Sequence, residues 1–409
     1  MTTHTLSPVR SSERYVILDA LRGFALLGIC MANFPEFSLF TFLKPEAAAA
    51  LPTAAIDQFV RYLTYVFVDG KFYTLFSLLF GIGFSLIITH AMQKGADGFR
   101  IFYRRMTVLA VIGFLHLMFI WSGDILMLYA LLGLLLPCFR HVSDRGLLTW
   151  AAILLIVPVF IDLACEVAEF YPARRVVELQ AYYCAKYGIT EENFAYWLRD
   201  INDYEGMFQF LIQGALVRVQ EFMDGNRYFK VLGLFLVGFY IGRKHMYADL
   251  ESRRLWLKRV CRAGMLAGLP LSLVYAWSCM NAHPLGLTAH SVLYLLSVYP
   301  LGFAYMAGLC LLYLKSKNGW FWKWLAAPGR MALTNYIGQS VIGVCLFYGI
   351  GLGWGADIGA TYTEGIVLAV YVLQVVFSRL WLSAFRFGPL EWGWRMLTYG
   401  KWFRLRNEG

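Results

Sequence analysis

A chain of 409 residues that is 59% hydrophobic, only 15% charged, rich in tryptophan (13) and formally +10 departs from soluble globular composition and matches a polytopic membrane protein. The basic balance comes with no nucleic-acid motif, and basic rims facing anionic lipid account for it. The lipid bilayer is therefore the expected partner, and nucleic acid is not.

Residues 1–14 read as a polar tail, and ten apolar runs long enough to span a bilayer follow. They lie at about 15–35, 71–92, 106–122, 124–139, 146–165, 228–242, 263–281, 289–314, 331–353 and 363–384. The expected fold is all-α: a polytopic transmembrane helical bundle with five spans in 15–165, five in 228–384, and a basic tail at 385–409. With the N-terminus inside, 25 of the 36 basic residues fall in inner segments, and the bias holds at every loop. Both termini are therefore expected in the cytoplasm. The first span lacks a small-residue cleavage site at its end and reads as a retained anchor.

Two outer segments exceed simple turns. Within 36–70, Ile56, Phe59, Val60, Leu63 and Val66 repeat at helical spacing, which predicts a helix lying at the interface. Residues 166–227 mix acidic and aromatic side chains and predict amphipathic helices, either a lid or a packing unit. Most of the eight cysteines fall in spans, where they act as small apolar residues. Cys165 and Cys184 alone lie where an oxidising outer compartment could pair them. No Cys/His spacing announces a metal ligand set, so none is expected.

Ionisable groups inside spans cost roughly 2.5–3.5 kcal/mol each, so they pair, snorkel or line a cavity. In "RYVILDALRGFALLGICMANF", Asp19 and Arg22 share a helical face, Arg14 stands near them, and Asn33 returns to that face three turns deeper. Guanidinium groups there suit bidentate phosphate binding from the cytoplasm; the alternative is a pair that only locks helices together. In "GFLHLMFIWSGDILMLYA", His116 is deep in a span and is a candidate general base, with Asp124 either orienting it or capping the next helix. In "PGRMALTNYIGQS", Asn335 and Gln339 could bond across helices or hold a substrate amide or carbonyl. Arg395 in "GPLEWGWRMLTYGKW" and Arg330 lie at the inner rim.

At these motifs, together with "FYTLFSLLFGIGFS", the chain resembles the YeiB-like family of bacterial inner-membrane proteins of unassigned function. The opening motif is also similar to the first span of two groups of membrane acyltransferases, acyltransferase family 3 and the heparan-glucosaminide acetyltransferases. Their Arg, Leu-Asp and Arg-Gly match Arg14, Leu18–Asp19 and Arg22–Gly23. This resemblance implies acyl-coenzyme A as the donor substrate at the cytoplasmic face of the bacterial inner membrane. On that reading Arg14, Asp19, Arg22, Asn33, Arg330, Asn335, Gln339 and Arg395 would bind the donor; the general base carries over from neither group, and His116 is the substitute candidate for catalysis, with Asp124 orienting it or binding the acceptor. The acceptor would be a hydroxyl or amine of a sugar, lipid or small molecule facing outward, and a homodimer is compatible with the reading. The chain departs from family 3 in carrying Asn33 where a histidine acts, and from the second group in lacking a histidine within 36–70. A transporter of a small metabolite or lipid is the alternative function, and a scaffold without chemistry is a third.

Overall fold

The structure, a computed structural model, describes residues 15–93, 97–317 and 319–407. Regular structure among them is helical, apart from one isolated bridge between Phe385 and Arg406. In chain order the helices are α1 Val16–Phe37, α2 Pro45–Ala49, α3 Ala54–Phe67, α4 Lys71–Gln93, α5 Gly98–Phe119, α6 Leu126–Gly133, α7 Asp144–Val167, α8 Arg174–Tyr187 and α9 Trp197–Asp200. They continue with α10 Tyr204–Asp224, α11 Arg227–Arg243, α12 Arg254–Met280, α13 Leu287–Lys315, α14 Trp320–Arg330, α15 Ala332–Phe347, α16 Ala360–Ala384 and α17 Pro389–Tyr399.

Seven of the described helical stretches are long and apolar enough to cross a membrane: 16–37, 54–93, 98–119, 144–167, 254–280, 287–315 and 360–384. The runs expected as spans at 124–139, 228–242 and 331–353 are built on shorter helices, namely α6 with 8 residues, α11 with 17 and α15 with 16. At 1.5 Å rise per residue none of these reaches the ~30 Å of a hydrocarbon core by itself. Helix α11 packs between α4 and α7, and α15 packs on α1.

Charge bias sorted the loops into two sets, and the fold gathers each set at one end. Tyr15 packs edge-on against Tyr247, Arg104 donates to the Leu397 carbonyl at 3.0 Å, and Arg243 donates to that of Val142 at 2.7 Å. At the opposite end Arg199 pairs with Asp357 at 2.9 Å and Glu166 accepts from the Thr288 amide at 3.1 Å. The first set is called the basic end below and the second the far end.

Glycine permits the tightest helix contacts. A Cβ on Gly329 of α14 would sit 1.9 Å from the Asp19 carbonyl oxygen of α1, and one on Gly23 of α1 would sit 1.9 Å from that of Leu325. Gly81 of α4 and Gly238 of α11 make a similar reciprocal approach, with a Cβ on either 2.1 Å from a carbonyl oxygen opposite. Such close backbone crossing of small residues is how helices pack in lipid, where burying apolar surface contributes little.

Helix α3 exposes Ile56, Phe59, Leu63 and Phe67 and buries Val66, the pattern of a helix whose apolar side meets lipid. Residues 166–227, the segment expected outside, form α8, α9 and α10. Met207, Phe210 and Leu211 of α10 join Phe34 and Phe37 of α1, Trp121, and Phe347 and Tyr348 in one core that fastens this segment to the bundle. Cys165 and Cys184 are free thiols.

Candidate functional site

A cavity of about 920 Å³ runs inside the bundle, lined at the basic end by Asp19, Arg22, Arg105, Arg330 and Arg395 and at the far end by Glu36, Asp69, Arg218 and Arg227. Helix α1 runs along its whole length. Asp19, Arg22, Ile29, Ala32, Asn33 and Glu36 all face the void, at the three- and four-residue spacings that keep side chains on one face. The middle is walled by Phe72, Phe76, Phe80, Leu126, Tyr129 and Tyr336. Polar groups at both ends with an aromatic and aliphatic middle make an elongated site for an amphipathic ligand.

At the basic end Arg22 Nη1 bonds Asp19 Oδ1 at 2.8 Å, and the two side chains retain 26% and 13% of their exposure. The pair is therefore partly solvated and not sealed between helices. Arg22 Nη2 ends 4.0 Å from the point where a side chain on Gly83 would begin, so the bare glycine leaves room beside the guanidinium. The α1–α14 glycine contact brings Arg330 to the same rim. Arg105 stacks 3.6 Å from the centre of the Trp394 ring, Trp394 Nε1 donates to the Arg105 carbonyl at 3.0 Å, and Arg395 lies 4.6 Å over Phe387.

Glu391 holds α17 in place. Its carboxylate accepts from the amides of Leu333 and Thr334 at 2.7 and 3.0 Å and from Thr334 Oγ1 at 2.6 Å, capping the start of α15. Burial pushes this carboxyl above the usual glutamate range, and the Thr334 hydroxyl and amide bonds oppose the shift. The result is that four arginines from α1, α5, α14 and α17 converge on one opening, where they can take several phosphate oxygens at once.

At the far end Arg218 of α10 bonds Glu36 at 3.3 Å, Glu221 at 2.5 Å and the Ser122 carbonyl at 3.0 Å. The segment of α8 to α10 thus supplies a wall of the cavity in addition to packing. Asp69 accepts from Tyr275 Oη at 2.5 Å, and Lys230 lies 4.1 Å over the Tyr294 ring.

Of the residues that sequence singled out, Asp19, Arg22, Asn33, Arg330 and Arg395 line the cavity, and Arg14 lies outside the described residues. The other four, His116, Asp124, Asn335 and Gln339, do not line it. His116 is 1% exposed and absent from the lining; its Nδ1 and Nε2 are each 2.8 Å from a partner, Asp124 Oδ2 and Ser340 Oγ. Asp124 also caps α6 by accepting from the Met127 amide at 2.8 Å. The Tyr336 ring, 5.3 Å from the His116 ring, lines the cavity in its place. Both ring nitrogens being occupied, the imidazole ties α5, α6 and α15 together. Asn335 donates to Ser378 Oγ at 2.9 Å and to the Pro328 carbonyl at 3.2 Å, while Gln339 donates to Gln374 at 2.9 Å. These amides join α15 to α16, the cross-helix role, and do not reach the void.

Sequence reading missed Glu36, Arg105, Trp394 and Arg218. Glu36 stands three residues after Asn33, on the same face, and that spacing could have found it; the expected first span stopped at about 35, whereas α1 runs on to Phe37. Arg105 and Arg218 meet the site only through contacts over long sequence separations.

Cys279, His283 and His290, which no sequence spacing singled out, come together at the far end of the cavity with ligand atoms within 4.8 Å of one another. Their spacing of four and seven residues crosses the α12–α13 turn.

Residues 241–401 match a family model described as a protein of unknown function, DUF418. The chain is 30% identical to the uncharacterized protein YxaH of Bacillus subtilis (strain 168), with 97% of each chain covered. It is 32% identical to an uncharacterized 39.9 kDa protein encoded in the amylase 3′ region of Bacillus acidopullulyticus, with 98% of each covered. It is 29% identical to the uncharacterized protein YeiB of Escherichia coli (strain K12), with 94% of this chain and 96% of YeiB covered. The likeness runs through essentially the whole chain, with α1 as well as the basic-end helices inside it. The chain belongs to the YeiB-like family, whose C-terminal part is the DUF418 region.

Proposed function

We propose that the protein is an acyltransferase of the bacterial inner membrane, which takes an acyl group, acetyl in the simplest case, from cytoplasmic acyl-coenzyme A. The observation that carries this reading is the continuous cavity from a four-arginine opening, past Asn33, to the Glu36–Arg218 pair. Its 920 Å³ lies near the upper end of the roughly 300–1,000 Å³ of small-molecule sites. Phosphates of the donor rest on Arg22, Arg105, Arg330 and Arg395, and the pantetheine arm follows the aromatic middle toward Asn33.

Glu36 takes the proton from the acceptor's hydroxyl or amine. The acceptor's oxygen or nitrogen then bonds the acyl carbon, the carbon–sulfur bond breaks, and the coenzyme A thiolate leaves and collects the proton from Glu36. Arg218 holds the Glu36 carboxylate in place and competes with the acceptor for it. Extra room at the far end, bounded by Asp69, Arg227 and Lys230, accommodates a sugar, lipid or small-molecule acceptor.

Purified protein given radiolabelled acetyl-coenzyme A and candidate acceptors should transfer label to an acceptor or to itself. Flux of a solute through proteoliposomes that proceeds without coenzyme A, combined with no label transfer, would favour the transporter reading instead. His116 serves as an internal check. A His116→Ala variant deprives Asp124 Oδ2 and Ser340 Oγ of their imidazole partner in the interior, at about 1–3 kcal/mol. Its thermal midpoint in detergent should fall while transfer per folded molecule persists; loss of transfer without loss of stability would return the imidazole to the chemistry.

A further inference from the structure

We propose that Cys279, His283 and His290 form a binding site for a thiophilic divalent transition ion, Zn²⁺ being the best match, at the far mouth of the cavity. One thiolate and two imidazoles are the ligand types that such an ion takes, and three protein ligands leave one tetrahedral position open. All three side chains line the cavity, so that open position can face it.

The ligand atoms already lie within 4.8 Å of one another, against donor separations of about 3.3–3.8 Å in a tetrahedral zinc site. Closing the remaining gap asks for about 1 Å of movement from the ligands. His283 can supply it, because it is exposed and sits in the turn after α12, not within a helix.

Three observations about this turn point to a ligand. His290 Nδ1 is buried and has no hydrogen-bond partner among the described residues, which is rare for an imidazole nitrogen. Ala282 and His283 are consecutive non-glycine residues with φ of +55° and +54°. Strained backbone of this kind collects at ligand clamps, and here it swings His283 to within 4.1 Å, ring centre to ring centre, of His290. Finally, Tyr275 lies 5.3 Å from the His290 ring and bonds Asp69, so a fixed carboxylate stands behind the cluster to offset the charge of an ion. The nearby ammonium of Lys230 is turned onto the Tyr294 ring.

The assignment is independent of acyl transfer, since it rests on the ligand set and its immediate surroundings. Full-length protein purified in detergent with a histidine-free tag, then stripped with chelator, should rebind one Zn²⁺ per chain. Co²⁺ should give a thiolate-to-metal charge-transfer band that Zn²⁺ bleaches. Cys279→Ser should remove that band. His283→Ala, on an exposed turn where folding is not at stake, and His290→Ala should each weaken Zn²⁺ binding by more than the roughly 10–100-fold typical of losing an outer-sphere partner. Zinc binding that is unchanged in His283→Ala or Cys279→Ser, or no binding by the stripped wild type, would overturn the assignment.

Discussion

Replacing Glu36 with glutamine should lower acyl transfer about 10²–10⁴-fold, the usual contribution of a positioned general base. Glutamine keeps the size and can still accept from Arg218, whose Nη2 lies 3.3 and 3.4 Å from the two carboxylate oxygens. It cannot take a proton. Because the Glu36 side chain is only partly buried and Arg218 keeps Glu221 and the Ser122 carbonyl as partners, the thermal midpoint should change little. The fall should therefore appear in kcat with the KM for acetyl-coenzyme A almost unmoved, as the donor phosphates bind about four turns away, around Arg22 on the same helix. An Arg218→Ala variant tests the other half of the pair, since a carboxylate that is no longer held should lower kcat and shift the pH profile, while Glu36 still supplies the base. A Glu36→Gln protein with full activity would move the proton acceptor elsewhere in the cavity.

Gly329→Val should have the largest effect on assembly. A Cβ there would meet the Asp19 carbonyl oxygen at 1.9 Å and the Gly23 nitrogen at 2.7 Å, and both are backbone atoms that cannot rotate aside. Overpacking commonly costs about 1–3 kcal/mol, and a clash between two helix backbones belongs at the upper end or beyond it. Helix α14 must then move off α1, separating Arg330 from Arg22, so donor binding should fail together with stability. Gly308→Ala provides the control: it lies on α13, and its Cβ would meet only Cys261 Sγ at an ordinary 3.6 Å. A Gly329→Val protein with unchanged thermal midpoint and unchanged donor binding would mean that the α1–α14 contact does not organise the arginine opening.

Sequence carried the fold class because its signals are local. Long apolar runs, basic loops and the spacing of Ile56, Phe59 and Leu63 each depend on neighbours within a few residues, and the helical bundle and the exposed face of α3 follow from them. Span length was harder to read. Hydropathy counts apolar residues whether or not they lie in one unbroken helix, so the 124–139 run looked like a span although it is split into α6 and a 3₁₀ turn at Leu136–Phe139.

Half of the site was legible for the same reason. Asp19, Arg22 and Asn33 share a face of one helix, and helical spacing alone aligns them along the cavity. The place of His116 was not legible, because a buried imidazole looks the same in sequence whether it faces a cavity or has both nitrogens bonded by Asp124 and Ser340, the latter 224 residues away. For Asn335 and Gln339 sequence left cross-helix bonding and ligand binding open, since their partners Ser378 and Gln374 lie on α16. The Cys279–His283–His290 cluster was hidden by a turn whose left-handed residues, Ala282 and His283, carry no sequence signature such as glycine.

Equilibrium binding of acetyl-coenzyme A to the purified protein, by calorimetry, tests most directly whether the arginine opening is a donor site. The account predicts saturable binding that weakens as salt rises and that falls in Arg22→Ala by about 1.5–3 kcal/mol, roughly 10–150-fold, the worth of hydrogen bonds to a charged partner. Acetyl-coenzyme A that does not bind, or that binds equally well to wild type and to Arg22→Ala, would contradict it.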